Sequence, residues 1–88
     1  MDKYFVYIIH NSKYDKYYIG QTNNIERRII EHNNKTESKY TSKYLGEWNL
    51  IYKEEFNNRR EAIIREKFLK KQKNKNFYKK LSEFSSSG

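Results

Sequence analysis

Arg28, His32 and Glu66 have side chains suited to chemistry and spacing that places them usefully. In the stretch NNIERRIIEH, residues 23–32, helical residues step by about 100°. That rotation sets Arg28 and His32 beside the apolar stripe of Ile25 and Ile29 and turns Arg27 to water. In REAIIREKFLKK, residues 60–71, Ala62, Glu66 and Leu69 share one helical face, so a carboxylate lies within an apolar stripe. A guanidinium can fork onto two phosphate oxygens, which lysine copies poorly. A single carboxylate can hold a hard divalent cation that keeps several waters. Together they suit a reaction in which negative charge builds on a phosphate.

The elements that must carry these residues follow from periodicity and punctuation. Residues 4–9, YFVYII, are β-branched or aromatic and apolar on both alternating faces, as a central strand covered on both sides requires. The polar HNSKYDK and then YYIG make a β-hairpin with a loop of about five residues, Tyr18 and Gly20 sharing a face of its second strand. Asn23 is expected to cap the first helix, with Glu26 completing a capping box and the helix ending near Asn33. Residues 33–43 are polar and read as a surface loop. In WNLIYKEEF, residues 48–56, Trp48, Leu50 and Tyr52 alternate with Asn49, Ile51 and Lys53 as a third strand. Asn58 with Glu61 repeats the capping signal before the second helix. A short third helix uses Phe77, Tyr78, Leu81 and Phe84. Residues 1–84 therefore form one domain, and 85–88, SSSG, a disordered tail.

Composition narrows the partners. The 88 residues contain no cysteine, so neither disulfides nor thiolate metal sites support the small core. Nineteen Lys and Arg against eleven Asp and Glu leave a formal charge of +8, which favours a polyanion, nucleic acid before membrane. The longest apolar run is too short to span a bilayer and lacks a signal-peptide pattern, so a cytoplasmic protein is expected.

The order FVYII, YIG, NIERRIIEH, REAIIREKFLKK resembles the GIY-YIG nuclease family, and its small single-domain members most of all. The likeness runs from about Tyr4 to Lys71, with Phe5-Val6-Tyr7 standing where many members have Gly-Ile-Tyr. It implies an α+β fold, a three-stranded antiparallel sheet flanked by helices, and a divalent-metal-dependent endonuclease acting on DNA, with a part in repair or recombination. By the same resemblance Tyr7 and Tyr18 match the motif tyrosines that manage the attacking water, and Gly20 matches the closing glycine. Arg28 matches the catalytic arginine, His32 a histidine one helical turn later in some members, and Glu66 the ligand of Mg²⁺ or Mn²⁺. A glycine at that place is expected to let substrate or metal approach the backbone.

Each residue also has an ordinary structural use. Tyrosines on sheet faces are usually packing. Arg28 could pair with Glu31 or Glu26, His32 could cap a helix end, and Glu66 could pair with Lys70 or Arg65. The alternative function is accordingly a nucleic-acid-binding module that keeps the fold but hydrolyses nothing. Basic contacts to nucleic acid are expected from Arg27, from Lys39 and Lys43 on the long loop, and from Lys70, Lys71 and Lys73, where aromatic residues stand close by.

Overall fold

The structure is a computed structural model that describes residues 3–33 and 46–86. Along the chain run β1 (Tyr4–Asn11), β2 (Lys16–Thr22), α1 (Ile25–Asn33), β3 (Trp48–Phe56), α2 (Arg59–Gln72) and α3 (Lys75–Ser86). The strands form one antiparallel sheet in the order β2-β1-β3, with β1 in the centre as its two apolar faces require. On one face Val6, Ile8 and Ile19 pack with Ala62 and Leu69 of α2 and Tyr78 of α3. On the other, Tyr7, Ile9 and Trp48 pack with Tyr18 and with Ile25 and Ile29 of α1.

Local chemistry explains the turns. The buried Asn11 accepts a hydrogen bond from the Tyr14 amide through Oδ1, and Asp15 takes a left-handed conformation, which closes the β1–β2 hairpin. The cap of α1 is Asn24 rather than Asn23: its Oδ1 accepts from the Arg27 amide, while its own amide donates to the Thr22 hydroxyl. Two adjacent asparagines carry the same capping chemistry, and the Thr22 contact selects between them. At α2, Asn58 caps as expected, Oδ1 accepting from the Glu61 amide at 2.9 Å and Nδ2 donating to the Glu61 carboxylate. Between α2 and α3 the chain turns through a left-handed Lys73, after which Asn74 caps α3 by accepting from the Asn76 and Phe77 amides. That helix reaches Ser86, two residues into the stretch read as a tail.

The third strand departs from simple alternation. A bulge opposite Ile8 and Ile9 sets Leu50 against Ile9 and Tyr52 against Ile8. Trp48 therefore packs on the α1 face, whereas both Ile51 and Tyr52 pack on the α2 face. The bulge serves α2: Glu54 accepts from the Tyr52 hydroxyl and from Arg65 Nε at 2.9 Å, which fixes the roll of the helix on the sheet. Across the sheet, Asn33 clamps α1 to β3. Its Oδ1 accepts from the Trp48 amide at 2.8 Å and its Nδ2 donates to the Trp48 carbonyl at 3.1 Å.

Candidate active site

The phenol of Tyr7 is the hub of a small polar network inside the α1 face. Tyr7 and His32 are both fully buried, and the Tyr7 hydroxyl lies 2.8 Å from His32 Nε2. Arg28 Nε donates to the same hydroxyl at 3.4 Å. Arg28 donates to this oxygen, and with the ring proton of His32 on Nδ1 the phenol donates in turn to Nε2. One helical turn separates Arg28 from His32, and the tilt of helical side chains toward the N-terminus lays both over β1. The Tyr18 ring meets the edge of His32 at 4.9 Å between centroids and Tyr7 at 6.4 Å, which walls the network on the β2 side.

Burial dominates the electrostatics of Tyr7. It pushes the phenol pKa well above its ordinary value near 10, outweighing the hydrogen bond from Arg28, which lowers it. The charges of Tyr18 and, least of all, Glu66 add to the rise. Arg28 therefore does not turn Tyr7 into a base in its own right at neutral pH. The phenol stays protonated and joins Arg28 to His32.

Gly20 is directly across from Tyr7 in the β1–β2 ladder. A Cβ at Gly20 would meet Tyr7 Oη at 2.5 Å, Tyr7 Cζ at 2.8 Å and Tyr18 Cε1 at 3.1 Å. The space above the glycine thus holds the Tyr7 phenol, and the expected approach of substrate or metal to this backbone gives way to an internal fit. No left-handed conformation is involved, since Gly46 is the glycine with positive φ among the described residues.

Arg28 is shared. Its Nη1 lies 3.5 Å from the Glu31 carboxylate, and about a quarter of the side chain is exposed, so it combines an inward Nε with an accessible edge. Arg27 points outward, as its helical position predicts, and pairs loosely with Glu31 at 4.0 Å. Glu66 is 17% exposed and pairs with Lys70 Nζ at 3.0 Å. A carboxylate that already holds a cationic group at a largely buried site fits a divalent ion with oxygen ligands. Among the described residues no three His, Cys, Asp or Glu side chains form a cluster. An ion held by Glu66 would therefore have fewer than three His, Cys, Asp or Glu ligands among the described residues and would fill its shell with water and substrate oxygens. Lys70 and Lys73 line a groove beside β2, whereas Lys71 is exposed outside it. Lys39 and Lys43 lie outside the described residues.

Two site contributions escape sequence reasoning. The clamp of Asn33 on Trp48 joins residues read as loop start and strand start, and the Tyr7 to His32 bond spans 25 positions. Neither leaves a local signal. The polar His32 bordering an apolar stripe is the nearest hint.

A three-stranded antiparallel sheet covered by helices on both faces, with Tyr7, Arg28 and His32 joined on the α1 side, defines a small α+β domain. Comparison with known proteins agrees: the family model of the GIY-YIG catalytic domain matches residues 3–80, and the chain belongs to that nuclease family. Among its relatives, a UPF0213 protein of Clostridium perfringens is 46% identical over 67 residues, covering 76% of this chain and 70% of that protein. A UPF0213 protein of Staphylococcus saprophyticus is 42% identical over 66 residues, covering 75% and 78%. The solution NMR structure of a UPF0213 protein from Bacillus halodurans superimposes with a TM-score of 0.53 at 27% identity, covering 93% of this chain and 84% of that one. The family implies a nucleic-acid substrate, and no helix among the described residues is long and apolar enough to cross a membrane.

Proposed function

We propose that this protein is a divalent-metal-dependent endonuclease that hydrolyses DNA phosphodiester bonds. The observation that carries the reading is the buried line Arg28–Tyr7–His32. Arg28 binds a nonbridging oxygen of the scissile phosphate through its exposed edge and keeps Nε on Tyr7. Tyr7 is closed to solvent in the free protein, so substrate docking must open the α1 edge and admit a water to Tyr7 Oη; that water gives its proton to the phenol oxygen as the phenolic proton moves to His32 Nε2. The resulting hydroxide attacks phosphorus, the bond to the leaving oxygen breaks, the departing alkoxide takes a proton from solvent water, and the His32 imidazolium gives its proton back to the hydroxide so formed, which restores the starting state. This relay accommodates a phenol of raised pKa, because no free phenolate has to accumulate. Tyr18 orients His32 by packing against its ring edge. Glu66 would hold Mg²⁺ or Mn²⁺, which supplies positive charge to the phosphate oxygens as negative charge develops.

The test compares cleavage of plasmid, single-stranded and branched DNA in Mg²⁺ or Mn²⁺ by wild type, Arg28→Ala and Glu66→Gln. Metal-dependent cutting that falls by about 10²-fold or more in each variant is expected. Salt-sensitive binding without cutting in either metal would instead establish the non-catalytic binding module.

A further inference from the structure

Beside the site, a groove of about 510 Å³ follows the β2 edge of the sheet to the turn between α2 and α3. Lys16, Tyr17, Tyr18 and Ile19 form one wall, and Lys70, Lys73, Lys75 and Tyr78 the other. Four lysines and no carboxylate line it, so it suits an anion and repels a cation. Its floor is apolar. Ile19 and Tyr78 are almost completely buried, and the half-buried Tyr17 ring lies 4.6 Å from the His10 ring and 5.5 Å from the Tyr78 ring between centroids, tilted to both.

The fold holds this arrangement in place. Lys75 Nζ is tethered to Asp15 at 3.1 Å and Lys70 to Glu66 at 3.0 Å. Each ammonium has three donors and uses one on its tether, which leaves others for phosphate oxygens. The Tyr78 hydroxyl donates to the Leu69 carbonyl at 2.8 Å, which ties α3 to the end of α2 and sets the groove width. The left-handed Lys73 sits at the helix junction and lines the groove there. Tyr18 and Lys70 belong both to this groove and to the surroundings of the candidate site, so the two are continuous.

We propose that the groove binds an unpaired stretch of nucleic-acid strand adjoining the scissile phosphate, with lysines on the phosphates and the Tyr17 ring against a base or sugar. The proposal rests on the nuclease reading for its place beside the cut, but the groove can be tested without cleavage. A lysine rim over an aromatic floor is the arrangement used to hold single strands with little regard to sequence. A duplex keeps its bases stacked inside and presents mainly phosphates, so it gains nothing from the floor.

Binding of a fluorescein-labelled oligothymidylate of about ten nucleotides and of a duplex of the same length is measured by anisotropy, with EDTA present, across a salt series. The variants are Lys16→Gln, Lys73→Gln, Lys71→Gln, Tyr17→Leu and Tyr17→Phe, each checked for its circular dichroism spectrum. The single strand should bind more tightly than the duplex. Lys16→Gln and Lys73→Gln should each reduce the salt slope by about 0.7, the value for one lost contact to a single strand. Lys71→Gln removes the same charge from outside the groove and should change the slope by less than half as much. Tyr17→Leu should weaken single-strand binding about tenfold, with Tyr17→Phe restoring it.

Equal effects of Lys71→Gln and Lys73→Gln, tighter binding of the duplex, or competition by inorganic polyphosphate equal to the oligonucleotide charge for charge would each overturn the groove. Cutting by a protein whose groove variants bind like wild type sinks the groove alone. Groove-dependent binding without cutting in any metal sinks the nuclease reading alone.

Discussion

Replacing Gly20 by alanine tests whether the glycine exists to house Tyr7. The new methyl carbon would stand 2.5 Å from Tyr7 Oη and 2.8 Å from Cζ, where unstrained contacts with a carbon lie at about 3.5 Å. The ring must therefore retreat by about 0.7–1 Å. It has little room, being fully buried between Tyr18 and His32. Overpacking of this kind costs about 1–3 kcal/mol. Stretching the 2.8 Å bond to His32 beyond hydrogen-bond range adds about 1 kcal/mol. Relief of glycine's conformational entropy returns about 0.5–1 kcal/mol. The net loss is about 2 kcal/mol, or about 10 °C in Tm for a domain this small.

In a Tyr7→Phe background the closest contact is absent and the His32 bond is already gone, so Gly20→Ala should cost at least about 1 kcal/mol less. Thermal and urea unfolding of the four proteins measures that coupling. In the folded fraction of Gly20→Ala, displacement of the hydroxyl should also slow DNA cleavage by about 10²-fold. A neutral or stabilising Gly20→Ala, or the same cost in both backgrounds, would refute the reasoning.

Asn33→Ala removes both hydrogen bonds to the backbone of the buried Trp48, so stability should fall by about 1–3 kcal/mol. Trp48 is the single tryptophan, and its fluorescence reports the loosening directly. At alkaline pH, burial holds the Tyr52 phenol up to about 12 against an ordinary 10.0, and the Glu54 carboxylate adds to the rise. The folded state then binds more protons than the unfolded chain between those values, so the stability is complete below about pH 10 and drains away toward pH 12. Tyr52→Phe should flatten that fall in a series of urea titrations, and an unchanged slope would contradict the assignment.

What could be read from the sequence was whatever a single element decides for itself. The doubly apolar β1 announces a central strand, the rotation of α1 separates Arg28 from Arg27, and Asn58 with Glu61 marks the start of α2. Features that depend on two elements did not show. Strict alternation puts Tyr52 on the face of Trp48, and the bulge against Ile8 and Ile9 moves it to the other, where Arg65 and Glu54 wait. Gly20 reads as an open approach because nothing near it in sequence says that Tyr7 leans into the gap. Likewise a phenol beside an arginine reads as acidified until burial is counted, and here burial wins.

The topology poses a problem that Gly20 helps to solve. Arg28 and His32 ride on the helix covering one face of the sheet, and Glu66 rides on the helix covering the other. A row of large side chains on β1 and β2 would keep them apart. The missing side chain at Gly20 lets the Tyr7 ring lean across toward the β2 edge, against which α2 also packs. An edge strand is the place where residues from both faces can approach one ligand, and the lysine groove continues along that same edge. Under the proposed chemistry, a strand lying in the groove reaches Tyr18 first and then the line of Tyr7, Arg28 and His32. The tyrosine–glycine pairing across β1 and β2 is thus a packing device first, and it is the packing that gives the phenol its position.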